Sequence, residues 1–494
     1  MLFNDPIFLF LFLPIVVLLF HLIRRTVGGE ASMILIVVAS IFFYGWWNPP
    51  YLMLLLGSVL FNYAITYHLL KKPSKLLLTF GVLANIAVLG YFKYRNFFME
   101  NIGLLLGESW QFEEILIPLA ISFFTFQQVA LLVDAQDGHI KRVKFLDFAT
   151  FVIFFPQLIA GPIVLYREMG KQLQLLRKDR GACLSLFGLG VVTFILGLFK
   201  KVALADGIAP FADSVFSVAD QLTMLEAWGG VVAYTLQLDF DFSGYSDMAV
   251  GLGMMFGLLL PINFNLPYRA TSMINFWKRW HITMTRFFMM YVYSPISLSI
   301  IRKSILNDWS KQQQFLLGVI VPITITFLIS GLWHGAAWTF VAFGVVNAIG
   351  LVVNHLWKEL RLPKPNIFIG WLLTMLTIMV SFVYFRADSI ANANLIILTM
   401  MDPASLIFPN WLSYYADYLG IPWHTLVVFS SGTYTVRMAG WIVVLTLLSL
   451  LLKNKPLHLD EIRPTVGLAI SLSVMLWLTL GWLDEPSTFI YFQF

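Results

Sequence analysis

An all-α fold, a polytopic transmembrane helical bundle, follows from three observations. Hydrophobic residues make up 59% of the chain, charged residues only 12%, and mean hydropathy is +0.80. A soluble domain carries about 25% charged residues, so this composition calls for an apolar solvent. The apolar residues also gather in blocks close to the ~20 residues that a spanning helix needs. These blocks run roughly 7–23, 31–47, 51–70, 76–92, 115–133, 145–163, 184–205, 227–260, 314–333, 336–357, 366–385, 440–452 and 466–483. Their lengths predict about 10 to 13 membrane helices, some short or re-entrant. One membrane domain over residues 1–494 is the simplest organisation, since no repeat, low-complexity tract or linker divides the chain.

The first block, Ile7 to Ile23, has acidic Asp5 before it and Arg24-Arg25 after it. A cleaved leader has its positive charge ahead of the apolar run, so this block reads as a retained helix with a cytoplasmic C-terminal end. Further cationic loops mark the same face: Lys71-Lys72 with Lys75, Lys141-Arg142 with Lys144, Lys358 to Lys364, and Lys453 to Lys455. Tyr166 to Arg180 interleaves five basic residues with Leu173, Leu175 and Leu176. At helical spacing it predicts an interfacial helix with leucines on one face, or else a charged connector. The region 402–438 differs in kind. It has no lysine, one arginine (Arg437), and many aromatics, including Trp411, Tyr414, Tyr415, Tyr418 and Trp423. It is expected to be an extracytoplasmic aromatic loop, either a docking surface or a seal over helix ends.

Several chemistries are excluded or disfavoured. No Gly-x-Ser-x-Gly elbow or P-loop occurs, and no histidine is followed by an aspartate five positions on. The single Cys183 rules out an intrachain disulfide. No His, Asp, Glu and Cys cluster has metal-ligand spacing, so neither a metal nor a resident cofactor is expected. The net charge of +5 lies in short loops where topology requires it, and implies no nucleic-acid partner. The glycines of Gly251-Leu252-Gly253-Met254-Met255-Phe256-Gly257 read as helix-packing contacts, because no strand precedes them.

Two histidines stand out. His334 lies in Ser330-Gly331-Leu332-Trp333-His334-Gly335-Ala336-Ala337-Trp338, at the end of a long apolar run. His281 closes Phe276-Trp277-Lys278-Arg279-Trp280-His281. An ionisable residue at such depth is costly in lipid and faces protein or a water-filled cavity, where a functional role is the default reading. Trp333, Trp338 and Trp280 are candidates to line a pocket beside them, with Gly335 removing bulk next to the imidazole. The 227–260 block holds Asp239, Asp241, Ser243, Tyr245 and Asp247. Buried carboxylates need pairing or hydration, and Lys278, Arg279 and Arg286 are the counter-charges nearest His281. The two segments are therefore expected to meet around a polar channel. A neutral imidazole there can take the proton of an alcohol attacking a thioester and return it to the thiolate. Proton-coupled transport of a lipid-linked sugar or acyl group, and an idle export scaffold, are the readings from other classes.

The order of these fragments resembles the membrane-bound O-acyltransferase superfamily, in its bacterial branch of alginate O-acetyltransferase membrane subunits. The resemblance runs nearly end to end. It includes Pro118-Leu119-Ala120-Ile121-Ser122-Phe123-Phe124, Phe155-Pro156-Gln157, Asp241-Phe242-Ser243-Gly244-Tyr245-Ser246-Asp247, the two histidine motifs, and Phe489-Ile490-Tyr491-Phe492-Gln493-Phe494. It implies a helical bundle around a central tunnel, His334 as the essential catalytic histidine, and His281 as the second polar position. It further implies an acyl donor on the cytoplasmic side, acetyl-CoA or another acyl thioester; the related alternative is D-alanyl or acyl transfer from an acyl carrier protein to a cell-wall polymer. A surface polysaccharide acceptor, a periplasmic SGNH-type acetyltransferase partner and a bacterial inner-membrane location complete the expectation. The sequence departs from the family after His281. Met289-Met290-Tyr291-Val292-Tyr293-Ser294-Pro295-Ile296-Ser297 lacks the Arg-Asp pair and the Gly-Gly-Asn-Arg loop of many relatives, and Asp239 stands at a usually apolar position.

Overall fold

The computed structural model describes residues 1–108, 110, 112–113, 115–178, 184–429, 431–451, 465–483 and 489–490. Cys183, Lys453, Lys455 and Tyr491 to Phe494 lie outside them. Among the described residues, eight helices are long and apolar enough to cross a membrane, and Gly29–Gly45, Ile390–Met401 and Val466–Leu480 are shorter apolar helices. Strand is confined there to a parallel pair of two-residue segments, Phe408–Pro409 and Trp423–His424. The protein has a polytopic α-helical membrane fold.

Backbone contacts divide the chain into two compact units. The first comprises 1–199, 243–263 and 455–493, and the second 200–242, 264–454 and 494. In the first, Phe3, Phe8, Phe12, Phe43 and Phe155 pack ring to ring. Gly251 packs against helix Leu184–Phe199, where a Cβ would lie 2.6 Å from the Gly190 carbonyl oxygen. It is a close helix contact, and Gly257, at φ 78°, adopts the left-handed backbone just past the C-terminus of Met224–Met255.

Helix Tyr166–Lys178 forms as the spacing predicts, but its leucines do not share a face. Leu173 and Leu176 are buried while Leu175 is 66% exposed. Positions 173 and 176 are one turn apart, whereas 175 projects about 100° from 176. Arg24 is also more than a topology signal. It is fully buried and donates from Nη1 to the Leu176 carbonyl at 2.8 Å, satisfying an end-of-helix acceptor. Arg177 pairs with buried Asp147 at 3.1 Å.

In the second unit, the aromatic region is shorter than its composition suggests. Helix Gly432–Leu451 begins before Arg437 and Met438, and the residues before it hold short elements, among them helix Ser413–Leu419. Thr223 and Glu226 cap one another: the Thr223 backbone N–H donates to Glu226 Oε2 at 3.0 Å, and its hydroxyl donates to the same oxygen. Glu226 Oε1 also accepts from the backbone of Val428 and Phe429, at 2.6 and 3.1 Å. One buried carboxylate thus ties this segment to the start of Met224–Met255. The stretch after His281 is helical, with a π-helical turn Met289–Tyr293 joining Ile282–Phe288 to Ser294–Leu306. The run is continuous in a stretch that the sequence leaves without glycine.

Helices Val321–His334 and Trp338–Glu359 form a tight antiparallel hairpin. A Cβ on Gly331 would sit 2.2 Å from the Phe340 carbonyl oxygen, and one on Gly344 2.4 Å from that of Phe327. Both obstacles are backbone and cannot swing aside. A second fixed point is Lys201, in the π-helical turn Lys200–Ala205. Its Nζ lies 2.6 Å from Asp206 Oδ1 and 2.8 Å from Asp241 Oδ1, with the Lys201 and Asp241 side chains almost fully buried. The wider π turn suits a contact between residues five apart.

These contacts set two expectations for thermal unfolding in detergent. Gly344→Val should destabilise by about 1–3 kcal/mol through overpacking. Gly57→Ala, where nothing lies within 4 Å, should be neutral or stabilising. Equal midpoints for the two variants would contradict the packing account. Lys201→Met should cost about 3–5 kcal/mol by stranding the buried Asp241 carboxylate, with much of the loss recovered in Lys201→Met/Asp241→Leu. A double variant no more stable than the single one would show that the ion pair is not the constraint.

Candidate active site

The second unit brings two of the sequence-selected residues, His281 and His334, against a third, Trp333. His281 is fully buried, His334 is 5% exposed, and Trp333 and Trp280 are buried beside them. The Trp333 ring lies 6.0 Å from the His281 ring and 4.8 Å from that of His334, so one indole touches both imidazoles. Phe242 meets His281 edge-on at 4.7 Å. On the other side, Phe385 and Phe343 meet His334 at 5.1 and 5.5 Å, also edge-on. Aromatic rings thus pack edge-on against both imidazoles.

His281 is held by an unusual backbone. It adopts φ 40° and ψ 53°, the left-handed region, and its carbonyl accepts from Thr285 at 3.0 Å to begin helix Ile282–Phe288. Strain of this kind at a non-glycine residue persists only where the surroundings over-determine it, and such sites concentrate at functional positions. The surroundings here are extensive. Ser272 caps helix Met273–Trp277 by accepting from Asn275 N at 3.2 Å. Asn275 Oδ1 accepts from Arg279 Nε at 2.7 Å, and Asn265 N donates to the Arg279 carbonyl at 2.9 Å. Trp280 stacks on Phe276 and packs edge-on to Phe264, while the Tyr268 hydroxyl donates to the Thr235 carbonyl. His281 lies outside the eight candidate spans. Burial pushes its imidazole below the ordinary value, keeping the ring neutral near pH 7.

His334 is the last residue of Val321–His334, and Gly335 leaves the helix in an extended conformation. Gly335 does not serve to clear space beside the imidazole. It makes room for Phe340, whose ring would lie 2.0 Å from an added Cβ. Trp338 is likewise not enclosed with the histidines. It opens helix Trp338–Glu359 and is 57% exposed, because the extended Gly335 to Ala337 turn sends it outward while Phe340 and Phe343 turn inward.

The expected counter-charges are also rearranged. The segments do meet, but through Phe242, Phe264, Trp280 and His281. Asp241 pairs with Lys201. Arg279 spends its guanidinium on Asn275 and the Asn265 carbonyl, and Lys278 is exposed. Asp239 is buried in the second unit. Ser243, Tyr245 and Asp247 belong to the first, where Tyr245 stacks between Phe3 and Phe489 at 4.8 and 4.5 Å.

Two residues escaped the sequence reading. Lys201 was legible as a cation within the apolar 184–205 run. Ser330 lies one helical turn before His334; its buried hydroxyl has no hydrogen-bond partner among the described residues and is available to a polar substrate atom. The i, i+4 spacing on the helix was the signal for it.

Residues 72–397 match the model of MBOAT, the membrane-bound O-acyltransferase family, a stretch that includes both histidines. A peptidoglycan O-acetyltransferase of Helicobacter pylori is 35% identical, with 100% of this chain and 98% of the relative aligned. A probable alginate O-acetylase of Azotobacter vinelandii is 36% identical over 83% of this chain and 79% of its own. A teichoic acid D-alanyltransferase of Streptococcus thermophilus is 27% identical over 55% of this chain and 69% of its own. A family match that spans most of the chain and relatives that align over nearly all of it lead to one assignment: the chain belongs to the membrane-bound O-acyltransferase family and is an integral membrane acyltransferase.

Proposed function

We propose that this enzyme is an O-acetyltransferase of the bacterial inner membrane. It passes an acetyl group from a cytoplasmic thioester, acetyl-CoA, toward hydroxyls of an exported or cell-surface polysaccharide. The observation that carries the reading is the pair of buried imidazoles on either side of Trp333, within a chain whose relatives are named for glycan O-acetylation. The relative aligned over the whole chain is named for peptidoglycan, which favours a cell-wall glycan as the acceptor.

His334 acts as general base in this mechanism. Its imidazole accepts the hydroxyl proton as the hydroxyl oxygen bonds to the thioester carbonyl carbon. The tetrahedral intermediate collapses with breakage of the carbon–sulfur bond, and the imidazolium returns the proton to the thiolate. Atoms and charge balance without a covalent enzyme intermediate. Ser330, one turn away, can donate a hydrogen bond to the developing oxyanion. His281 stays neutral and positions the opposite face through Trp333. The enclosed aromatic walls suit a reaction that must exclude water, since water in place of the acceptor would hydrolyse the thioester. A passage open to both faces would let a donor from one side meet an acceptor from the other. Asp241 remains proposed as a tunnel contact acting through its Lys201 pair, and Lys278 and Arg279 as substrate contacts.

Acetyl relay through a periplasmic SGNH-type acetyltransferase fits the exposed aromatics Trp411, Tyr414, Tyr415, Tyr418 and Trp423 as a docking surface. The likeness to a teichoic acid D-alanyltransferase supports a second reading, with an acyl carrier protein as the donor. Membership in an acyltransferase family sets the transporter reading aside.

Single-turnover release of CoA from acetyl-CoA, measured with purified protein in lipid in the presence of peptidoglycan fragments as the hydroxyl acceptor, tests the proposal. His334→Ala should slow release by about 10²–10⁴-fold, the usual contribution of a general base. Normal release by a well-folded variant would end the assignment, and release only from an acylated carrier protein would favour the second reading. The pH profile is a separate check. A neutral imidazole is lost only as pH falls through its pKa, and burial lowers that of His281. Loss of activity assigned to His281, read as the difference between wild type and His281→Gln, should therefore set in below the ordinary imidazole value of about 6.5. An acid limb centred above that value and abolished in His281→Gln would contradict its neutral role.

A further inference from the structure

A large groove runs along the outer faces of helices Trp338–Glu359 and Ile367–Arg386, with a volume of about 1000 Å³. This is at the upper end of the roughly 300–1,000 Å³ typical of ligand sites. Its walls are apolar and open sideways: Ile349, Val353 and Leu373 are 58%, 48% and 56% exposed, although each lies on a helix apolar enough to span a membrane. At one end the lining changes character abruptly to Lys358, Arg361 and Lys364. Glu359 is the sole acid between residues 338 and 386 and does not line the groove.

The cationic end is a built loop. Trp357 Nε1 donates to the Pro363 carbonyl at 2.9 Å, and Leu362 N donates to the Trp357 carbonyl at 3.1 Å. Arg361 sits in the left-handed region at φ 53°, and Asn366 caps the next helix by accepting from Phe368 N at 2.8 Å. Lys358, in the last turn of its helix, and Arg361 and Lys364, in the turn that follows, thus gather at the mouth of an apolar slot. Their loop has the charge bias of a cytoplasmic connection, and anionic lipids enrich that leaflet.

We propose that this groove holds one anionic phospholipid, with its phosphate against Lys358, Arg361 and Lys364 and an acyl chain along Ile349, Val353 and Leu373. The match is one of charge and polarity together. A head group with a phosphate meets the cations where the hydrocarbon region ends, and an acyl chain replaces bilayer contacts along walls that already face lipid. Basic pockets between membrane helices recognise acidic head groups in this way. The site is independent of the acyl-transfer chemistry, so its test does not depend on that reading.

Native mass spectrometry of the full chain, titrated with phosphatidylglycerol and with phosphatidylethanolamine of the same acyl chains, reads the site. Wild type should retain one phosphatidylglycerol in preference to phosphatidylethanolamine. Each cation contributes about fivefold, so K358Q/R361Q/K364Q should weaken phosphatidylglycerol about a hundredfold. Val353→Trp, which keeps every charge but fills the slot, should also lose the lipid. All four positions are exposed, and an unchanged size-exclusion profile verifies folding. His334→Ala should bind phosphatidylglycerol like wild type. Equal retention of the two lipids by wild type, or undiminished phosphatidylglycerol binding in either variant, overturns the proposal. So does displacement of bound phosphatidylglycerol by coenzyme A, which would make the groove part of the donor site.

Discussion

The backbone contact between Val321–His334 and Trp338–Glu359 is the constraint on which the candidate site rests. Gly331 and Gly344 let the two helices approach until backbone atoms touch, and Gly335 lets Phe340 fold back beneath the turn. Only at that separation do Phe343 and, from the next helix, Phe385 come edge-on to His334. Side chains at these glycines would push the hairpin apart by more than a packed interior can absorb. The histidine's surroundings therefore depend on residues that have no functional group at all.

The opposite side of Trp333 is organised by hydrogen bonding. His281 takes a strained backbone conformation because the chain from Phe264 to Trp280 is over-determined on both sides, by Arg279's bonds to Asn275 and Asn265 and by the stacking of Trp280. Strain, aromatic enclosure and burial act together. They hold an imidazole neutral and fixed in orientation, which are the two properties that acid–base or positioning chemistry requires. The charged residues nearby are arranged with similar economy. Lys201 bridges Asp206 and Asp241, so the deeply buried Asp241 carboxylate has its counter-charge within the protein.

Much of this was legible in the residues. The composition and the lengths of the apolar runs suffice for a helical membrane fold, because lipid leaves the backbone few other options. The motifs around His281 and His334 suffice to select those histidines as candidates. Other elements misled for identifiable reasons. Leu175 belongs to the same leucine run as Leu173 and Leu176, yet a 100° step separates it from its neighbour. Trp338 stands close to His334 in sequence, but an extended turn of three residues directs it outward.

By itself, the sequence determined the solvent, the secondary structure class, the family and the two imidazoles worth attention. All of these depend on local residue types and their spacing. The tertiary structure alone decided which charges meet and what surrounds each imidazole. Lys201, not Lys278 or Arg279, is the partner of Asp241, and Phe340, not Trp338, packs beneath the His334 turn. Such pairings depend on the approach of helices far apart in the chain. That approach is set by backbone contact at a few glycines and by carbonyls that must find donors, which no local pattern encodes.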